Sequence, residues 1–477
     1  MNETITVNDP FTGETVFTAD SERFHDIEEK IGWARSASRR WSALAPAVRS
    51  AAVVKALEYF TTQRDAIVEG ITSETGKPLS AAAEELEFMI ERAKFLCRFA
   101  SEGCLEPLSL GVYRDATFEG RIEYRAKGVV YIISPWNYPL FCAINGTVCA
   151  LLAGNAVLLK HTTAPSVGRH FARAFGTLHK IDHLVQDVIV DFSTSAEIIE
   201  KGAIDHVIFT GSVRGGRDIA ASVARRAAND VPNPFIQYSL ELGSNDAAYI
   251  AADADVGQAV NWVVKIGRLH NSGQSCCAVK RVYVHDALHD EFVARAAAVM
   301  AAEVSGDPRD PATTLGPLRG GRPAVESLAA IVADAAADGA EIVTGGEPRT
   351  IGPALFLPPT LLARTHHSMR VMREETFGPV LPVMRVADDA TAIELIADTQ
   401  YGLTASIFTR SRARGEALIA ALACGTIYVN RCNFVDARLG WIGHRRSGNG
   451  AISLSPLGIQ TMSRLHSVNI DPRLLDE

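Results

Sequence analysis

A cysteine set among small polar residues is the strongest chemical candidate in this 477-residue sequence. Cys276 ends the run NSGQSC, residues 271–276, and Cys277 follows it. A cysteine attacks as its thiolate, which needs access to the substrate and a lowered pKa. A loop of glycine and small polar residues provides that access, so the run predicts a nucleophile. The competing interpretation is a structural cysteine, because free cysteines commonly pack as small apolar side chains.

A carboxylate in apolar surroundings is the second candidate. Glu241 stands between Leu240 and Leu242, at the end of an apolar segment, Phe235–Leu240, that is expected to form a strand. Burial disfavours the charged form of a carboxylate and raises its pKa, which prepares it to act as a base. The alternative is a carboxylate that faces water at the end of a strand.

The third candidate is an amide. Asn137 lies in the run SPWNYP, residues 134–139, between the expected strand Val129–Ile133 and a helix that follows. A side-chain amide in this position can donate a hydrogen bond to a developing oxyanion. The alternative is a proline-rich turn in which the asparagine caps the helix.

These three motifs, in their order along the chain, resemble the aldehyde dehydrogenase superfamily, and the resemblance covers nearly the whole chain. It extends to Lys160, to the run FTGS at 209–212 followed by Gly216, to EETFGP at 374–379, and to SGNG at 447–450. Each motif is weak by itself, whereas an ordered set of seven is unlike a chance match.

The resemblance implies a role for each matching residue. Cys276 would be the nucleophile and Glu241 the general base, and Asn137 would form the oxyanion hole with the backbone N–H of Cys276. A nicotinamide cofactor would be held by Ser134, Pro135, Trp136, Lys160, Thr163, Gly211, Ser212, Gly216, Leu242, Glu375 and Phe377. The substrate pocket would be lined by Tyr138, Ser275, Cys277 and Trp441.

Departures from the family pattern concern mainly the cofactor. Thr163 stands where the family usually has a glutamate that binds the adenosine ribose and repels a 2′-phosphate. We therefore predict that the chain uses NAD and tolerates NADP. Ser244 replaces a second glycine beside Glu241, and the stretch 179–191 lacks the usual Gly-Leu-Pro start.

The expected reaction is oxidation of an aldehyde to its carboxylic acid, through a cysteine thiohemiacetal and a thioester that water hydrolyses. The alternatives are a CoA-acylating relative, which Glu241 disfavours because no water needs a base there, and a non-catalytic binding or structural member of the family. No arginine in these motifs is placed to meet a second carboxylate. The sequence therefore favours an aromatic or medium-length aliphatic aldehyde.

Short apolar runs alternate with helical segments after Gly128, and this alternation predicts an α/β fold with parallel strands. The strands and helices of this fold would position the residues named above. We expect a Rossmann-like cofactor domain (1–107 and 127–244), a second α/β catalytic domain (245–446), and a small β oligomerisation arm and tail (108–126 and 447–477). Strands are expected at Val112–Arg125 and Val188–Phe192, and a helix at Val256–Leu269. The resemblance implies that Val112–Arg125 and Ser463–Ile470 pair between subunits of a homodimer or homotetramer.

Composition excludes several other classes of protein. The formal net charge of −8 argues against a nucleic-acid surface. Eight cysteines without paired CxxC motifs indicate neither a disulfide framework nor a metal site, which favours a reducing, cytoplasmic location. The beginning of the chain lacks the pattern of a signal peptide. Residues 128–159 carry no charge, but Pro135, Asn137 and Pro139 interrupt them, so we expect buried strand and helix and no membrane partner.

Overall fold

The computed structural model describes residues 3–475. The chain begins with an antiparallel hairpin of β1 (Thr4–Asn8) and β2 (Thr15–Asp20). Five helices follow: α1 (Phe24–Ser42), α2 (Pro46–Ala56), α3 (Glu58–Thr62), α4 (Arg64–Thr75) and α5 (Leu79–Ser101). Each of the longer helices buries one apolar face, as the spacing of three and four residues between apolar positions predicts.

A pair of strands comes next, namely the short, exposed β3 (Leu108–Ser109) and the mostly half-buried β4 (Glu119–Ala126). The predicted strand Val112–Arg125 is therefore wrong in its first half, where Gly111–Tyr113 forms a 3-10 turn. The Asp115 carboxylate accepts from the Thr117 backbone N–H at 2.7 Å, and this local hydrogen bond competes with strand pairing.

A parallel five-stranded sheet forms the first of two large sheets. Its strands are β5 (Val129–Ile133), β6 (Ala156–Lys160), β7 (Val185–Val188), β8 (His206–Thr210) and β9 (Gln237–Glu241), arranged in the order β7-β6-β5-β8-β9. The connecting helices are α6 (Pro139–Leu152), α7 (Pro165–Phe175), α8 (Phe192–Lys201) and α9 (Val213–Ala227). The predicted strand Val188–Phe192 is wrong, because β7 ends at Val188 and Asp191 caps α8 by accepting from the Thr194 N–H.

The order in which strands are added to this sheet reverses between β5 and β8, although all five strands are parallel. The chain runs outward from β5 to β6 and β7, then returns to place β8 on the other side of β5. Open α/β sheets bind ligands at such a point, beyond the carboxyl ends of the strands. The uncharged stretch 128–159 builds the strand–helix–strand unit beside this point, and no helix within residues 3–475 is long and apolar enough to span a membrane.

The second large sheet has seven strands in the order β12-β15-β16-β11-β10-β17-β18, all parallel except β12 against β15. Its members are β10 (Ala247–Ile250), β11 (Arg281–His285), β12 (Glu341–Thr344), β15 (Thr360–Ala363), β16 (Val380–Val386), β17 (Thr404–Phe408) and β18 (Thr426–Val429), with the hairpin β13 (Arg349–Ile351) and β14 (Ala354–Phe356) inserted between β12 and β15. Its helices are α10 (Val256–Val260), α11 (His289–Ala301), α12 (Gly321–Ala337), α13 (Arg370–Arg373), α14 (Asp389–Ala397) and α15 (Arg412–Ala420).

The helix predicted over Val256–Leu269 changes its winding part of the way along. It is α-helical as far as Val260 and then π-helical over Asn261–Leu269. The wider turn leads directly into the cysteine run. π-Helical turns occur frequently at functional sites, so this irregularity is consistent with a site at the end of the segment.

The last elements of the described chain pack near the first large sheet and complete the small sheet of β3 and β4. They are β19 (Trp441–Ile442), β20 (Ile452–Ser453), α16 (Ser455–Thr461) and β21 (Ser463–Ile470). β21 pairs with β4 over eight residues of the same chain, from Ser463 opposite Ala126 to Ile470 opposite Glu119. The two segments that were expected to pair between subunits therefore pair with each other.

Candidate active site

The segment before Cys276 turns sharply, and this turn presents the cysteine. Asn271, Ser272 and Gly273 all have left-handed backbone conformations, with φ of 53°, 54° and 74°. Left-handed residues other than glycine are costly and need support from their surroundings. The Asn271 side-chain amide donates to the Asn137 carbonyl at 2.8 Å, and the Ser272 hydroxyl donates to the Gly316 carbonyl at 2.9 Å. The polar residues that suggested an open loop thus hold a strained one.

Asn137 lies directly against this loop. Its side-chain Nδ2 donates to the Gln274 carbonyl at 3.1 Å, and the residue is 7% exposed. A primary amide has two N–H donors, and the described hydrogen bonds of Asn137 use one of them, to hold the loop. This contact places Asn137 against the loop that carries Cys276, whereas Asn137 is not among the residues that line the cavity described below.

The two neighbouring cysteines have different surroundings. Cys276 is half-buried, and the neighbouring Cys277 side chain, followed by burial, raises the pKa of its thiol well above the ordinary value. Cys277 is 5% exposed, and its thiol donates to Asn433 Oδ1 at 3.0 Å. A cysteine attacks as its thiolate, so the expected reaction requires loss of the Cys276 thiol proton.

Glu241 ends β9 and is buried, with 8% of its surface exposed. Burial raises the pKa of its carboxyl group to about 8, whereas hydrogen bonds from Ser453 and Trp441 lower it. The Ser453 hydroxyl donates to Oε1 at 3.1 Å, while Oε2 is buried without a hydrogen-bond partner. A buried carboxylate oxygen that accepts no hydrogen bond is suited to binding a water molecule or a proton.

The SGNG run explains how β9 is supported at the edge of its sheet. Asn449 Oδ1 accepts from the Leu240 backbone N–H at 3.0 Å, and Asn449 Nδ2 donates to the Tyr238 carbonyl at 2.8 Å. The Leu242 N–H donates to the Ser447 carbonyl at 2.9 Å. This segment thus pairs the open edge of β9 and fixes the position of Glu241.

A cavity of about 590 Å³ joins the nucleophile and the carboxylate. Cys276 and Glu241 both line it. So do all four residues predicted for the substrate pocket, namely Tyr138, Ser275, Cys277 and Trp441. The size fits a small organic substrate, because such pockets commonly measure about 300–1,000 Å³.

Sequence reasoning missed Arg92 and several aromatic residues that line the same cavity: Phe88, Phe95, Phe141, Trp262 and Phe434. Arg92 is 9% exposed and stacks on Phe141, with 4.1 Å from the guanidinium carbon to the ring centroid. It donates to Asn145 Oδ1 at 3.2 Å and to the Val435 carbonyl at 2.9 Å, and burial lowers its pKa to about 10. Within residues 3–475 no carboxylate forms an ion pair with it. The sequence did contain a signal for Arg92: it is a charged residue on the apolar face of α5, seven positions after Glu85.

The predicted cofactor residues gather around the point where the first sheet reverses. Ser134, Pro135 and Trp136 follow β5, Lys160 ends β6, and half-buried Thr163 lies in the turn after it. Gly211, Ser212 and Gly216 follow β8, where the Ser212 hydroxyl caps α9 by accepting from the Gly215 N–H at 3.1 Å. Leu242 and Gly216 are in contact, since a Cβ on Gly216 would lie 2.7 Å from Leu242.

These residues fit a nicotinamide dinucleotide. The α9 N-terminus offers backbone N–H groups to a pyrophosphate, and its first turn carries no acidic residue. A Cβ on Gly211 would lie 2.6 Å from the Phe209 ring, so glycine is needed there. The Ser134 hydroxyl is buried without a partner, and Lys160, 4% exposed, donates at 3.2 Å only to the Asp191 carbonyl among the hydrogen bonds of the described chain.

Glu375 and Phe377 bring the second sheet's loop to this crevice. The Phe377 ring packs edge-on against Trp136, with 5.8 Å between centroids. Glu375 Oε1 accepts from the Ser244 N–H at 2.9 Å. Buried Arg268, another residue that the sequence did not single out, holds the loop by donating to the carbonyls of Thr376 (2.8 Å) and Gly378.

Comparison with known families assigns the same class throughout. Residues 1–468 match the model of the aldehyde dehydrogenase family. The chain is 34% identical over 457 residues to a succinate-semialdehyde dehydrogenase [NADP(+)] of Deinococcus radiodurans, covering 95% of this chain and 92% of that protein. It is 32% identical to the succinate semialdehyde dehydrogenase [NAD(P)+] Sad of Escherichia coli strain K12, covering 97% of each.

Solved structures give the same result for the fold. Lactaldehyde dehydrogenase from Escherichia coli superimposes with a TM-score of 0.90 at 29% identity, covering 98% of this chain and 96% of that one. An aldehyde dehydrogenase from Brucella melitensis biovar abortus 2308 superimposes with the same TM-score at 25% identity, covering 98% and 94%.

Proposed function

The chain belongs to the aldehyde dehydrogenase family, and we propose that it oxidises an aldehyde to the carboxylic acid through a thiohemiacetal and then a thioester of Cys276. The observation that carries this proposal is the shared cavity of Cys276 and Glu241. A nucleophile alone forms an adduct, whereas a buried base in the same cavity allows water to release the product.

The steps follow from the side chains. The Cys276 thiol releases its proton to solvent, its sulfur bonds to the aldehyde carbon, and the carbonyl electron pair moves to oxygen, where a side-chain N–H of Asn137 and the backbone N–H of Cys276 would stabilise the negative charge. A bound nicotinamide cofactor supplies the hydride acceptor. Glu241 then takes a proton from water, the resulting hydroxide attacks the thioester carbon, and the carbon–sulfur bond breaks to release the acid.

The test is NAD(P)H production from a panel of aldehydes, with and without CoA, by the wild-type chain and two matched variants. Cys276→Ala should abolish turnover, whereas Cys277→Ala should retain it. Acyl-CoA formation in place of free acid would identify a CoA-acylating enzyme instead. No turnover of any aldehyde would support a non-catalytic role, and equal loss in both variants would remove Cys276 as the nucleophile.

For the cofactor we propose NAD with NADP accepted. Thr163 places no negative charge beside an adenosine 2′-phosphate, and Arg214 and Arg217 are exposed in the first turns of α9. The two relatives named above carry NADP(+) and NAD(P)+ in their names. Thr163→Glu should lower kcat/KM for NADP at least about tenfold and change that for NAD much less. A wild-type preference for NAD above about a thousandfold, roughly 4 kcal/mol, would contradict this proposal.

For the substrate we propose an aldehyde that carries a carboxylate at its far end, as succinate semialdehyde does. Arg92 supports this, because its buried guanidinium faces the cavity with N–H groups to spare and no carboxylate partner in the described chain. Acidic residues at the rim have cations of their own: Asp436 pairs with Arg438 and Glu91 with Lys94. This proposal replaces the neutral aldehyde favoured by the sequence. That preference considered only the arginines within the motifs, and Arg92 lies outside them, in α5.

Arg92→Met tests the substrate class. It should lower kcat/KM for succinate semialdehyde about tenfold or more, the usual size of a lost hydrogen bond to a charged group, and leave butanal within about twofold. Arg438→Met is the matched control, since that arginine is already paired at the rim. An equal loss for both aldehydes would mean that Arg92 only holds Val435 and Asn145 in place.

A further inference from the structure

Lys280 is a buried cation beneath the nucleophile, and nothing in the proposed mechanism uses it. It lies four residues after Cys276, just before β11, and its surface is fully buried. Lysine is almost never fully buried unless it is paired. The groups that contact the ammonium group therefore indicate which part of the site its charge stabilises.

On one side, the ammonium group holds the backbone of the cysteine loop. Nζ donates to the carbonyls of Cys276 at 2.6 Å, Ser275 at 3.1 Å and Ala278 at 3.2 Å. The Ser275 carbonyl belongs to the same peptide group as the Cys276 N–H. A cation on that carbonyl polarises the peptide and strengthens the N–H as a hydrogen-bond donor.

On the other side, the same ammonium group faces Glu375. Nζ lies 3.7 Å from Glu375 Oε1, and the Ser244 N–H donates to that oxygen at 2.9 Å. A Cβ on Gly243 would lie 2.2 Å from Glu375 Oε2, so glycine makes room for the carboxylate. Ser244 also connects the two sides, because its hydroxyl accepts from Lys280 at 3.0 Å and donates to the Cys276 carbonyl.

Other titratable groups face this pair and have fixed roles. Cys277 and Cys142 act on the Cys276 thiol, and both raise its pKa. Asp246 also interacts electrostatically with Lys280. Its carboxylate is held in place because it accepts from the Thr404 hydroxyl at 2.6 Å and from the Thr404 N–H at 2.9 Å. Glu375 differs from Asp246 because it is partly exposed, at 21% of its side chain, and reaches the cofactor crevice.

We propose that Lys280 is a positioning residue that couples the Cys276 thiol to the Glu375 carboxylate. The ammonium group fixes the peptide groups around the nucleophile and favours the thiolate, while Glu375 offsets part of its charge. Any change that neutralises Glu375, or withdraws it toward a ligand in the crevice, then makes the thiol easier to ionise. The inference rests on the proposed role of Cys276, but it concerns ionisation of the thiol and not turnover.

The rate at which iodoacetamide alkylates Cys276, followed against pH by peptide mass spectrometry, tests this coupling. Alkylation needs the thiolate, so a shift of about one pKa unit changes the rate about tenfold below the pKa. Lys280→Met should raise the pKa and slow alkylation, whereas Glu375→Gln should lower the pKa and accelerate it. The double variant should behave as Lys280→Met does, and Lys265→Met, at an exposed position of the π-helical segment, should have no effect.

An unchanged pH profile in Glu375→Gln would overturn the coupling, and so would shifts that add in the double variant. Should Lys280→Met fail to fold, Glu375→Gln decides the question alone, because its carboxylate is partly exposed. The alkylation profile needs neither aldehyde nor turnover. A chain that oxidises no aldehyde but shows opposite shifts in the two variants would refute the proposed function and retain this inference.

Discussion

Burial of Glu241 makes both chemistry and stability depend on pH. Its pKa is about 8 in the folded chain against an ordinary value of 4.5. The folded state therefore binds the proton more tightly than the unfolded state. The free energy of unfolding then falls as the pH rises between these two values, since ionising the carboxyl group costs more in the fold than in water.

Glu241→Gln removes this dependence, because the amide resembles the protonated carboxyl group. We expect the melting temperature of the variant to exceed that of the wild type at about pH 9 and to approach it near pH 5. Turnover should fall by about a hundredfold or more, the usual contribution of a general base. Thermal unfolding and kcat measured across this pH range check both effects. A constant difference in melting temperature would mean that Glu241 ionises normally.

At the scale of the element, the left-handed turn Asn271–Gly273 fixes where the nucleophile lies. A Cβ on Gly273 would lie 2.3 Å from the Gly378 carbonyl oxygen, which belongs to the loop of Glu375 and Phe377. Gly273→Ala should therefore displace both loops. We expect kcat/KM to fall at least about tenfold, and stability to fall by more than the roughly 1 kcal/mol that a left-handed alanine costs.

The matched control for this turn is Gly13→Ala. Gly13 has φ of 77°, close to the 74° of Gly273, but a Cβ there meets no atom within 4 Å. This variant carries the backbone strain without the collision, so it should lose stability and keep its activity. Equal kinetic losses in the two variants would show that strain, and not contact with Gly378, explains the effect. Steady-state kinetics with urea unfolding separate the two.

At the scale of the whole molecule, the three-stranded sheet of β3, β4 and β21, together with the 3-10 turn between β3 and β4, leaves apolar side chains in water. Val112 is 88% exposed, Tyr113 70%, Leu465 63% and Leu108 54%. Clustered apolar exposure of this kind indicates an interface. We predict that the sheet joins copies of the chain in a dimer or tetramer, although its two long strands pair within one chain.

Leu465→Asp should weaken this assembly, because a carboxylate would be buried without a partner. Light scattering at micromolar concentration should show a dimer or tetramer for the wild type and a smaller species for the variant. Val304→Asp, an exposed apolar position that is 46% accessible and outside the sheet, is the control. A wild-type monomer would contradict the prediction.

The amino-acid sequence by itself was enough to predict the class of reaction and the residues proposed for it. Cys276, Glu241 and Asn137 each sit in a short run whose residue types suit one step of the proposed reaction; Glu241 ends a strand and Asn137 follows one. In a parallel sheet the carboxyl ends of neighbouring strands meet at one edge. The alternating pattern of apolar runs therefore also indicated that the cofactor residues after β5, β6 and β8 would come together.

Tertiary structure alone decided what surrounds that chemistry. Arg92 reaches the cavity from α5, and Lys280 reaches Glu375 from another loop, because packing brings together residues that are far apart in the chain. No local pattern encodes such contacts. The pairing of β4 with β21, and the end of β7 before Asp191, likewise depended on competition between strand hydrogen bonds and caps, whose outcome the fold as a whole determines.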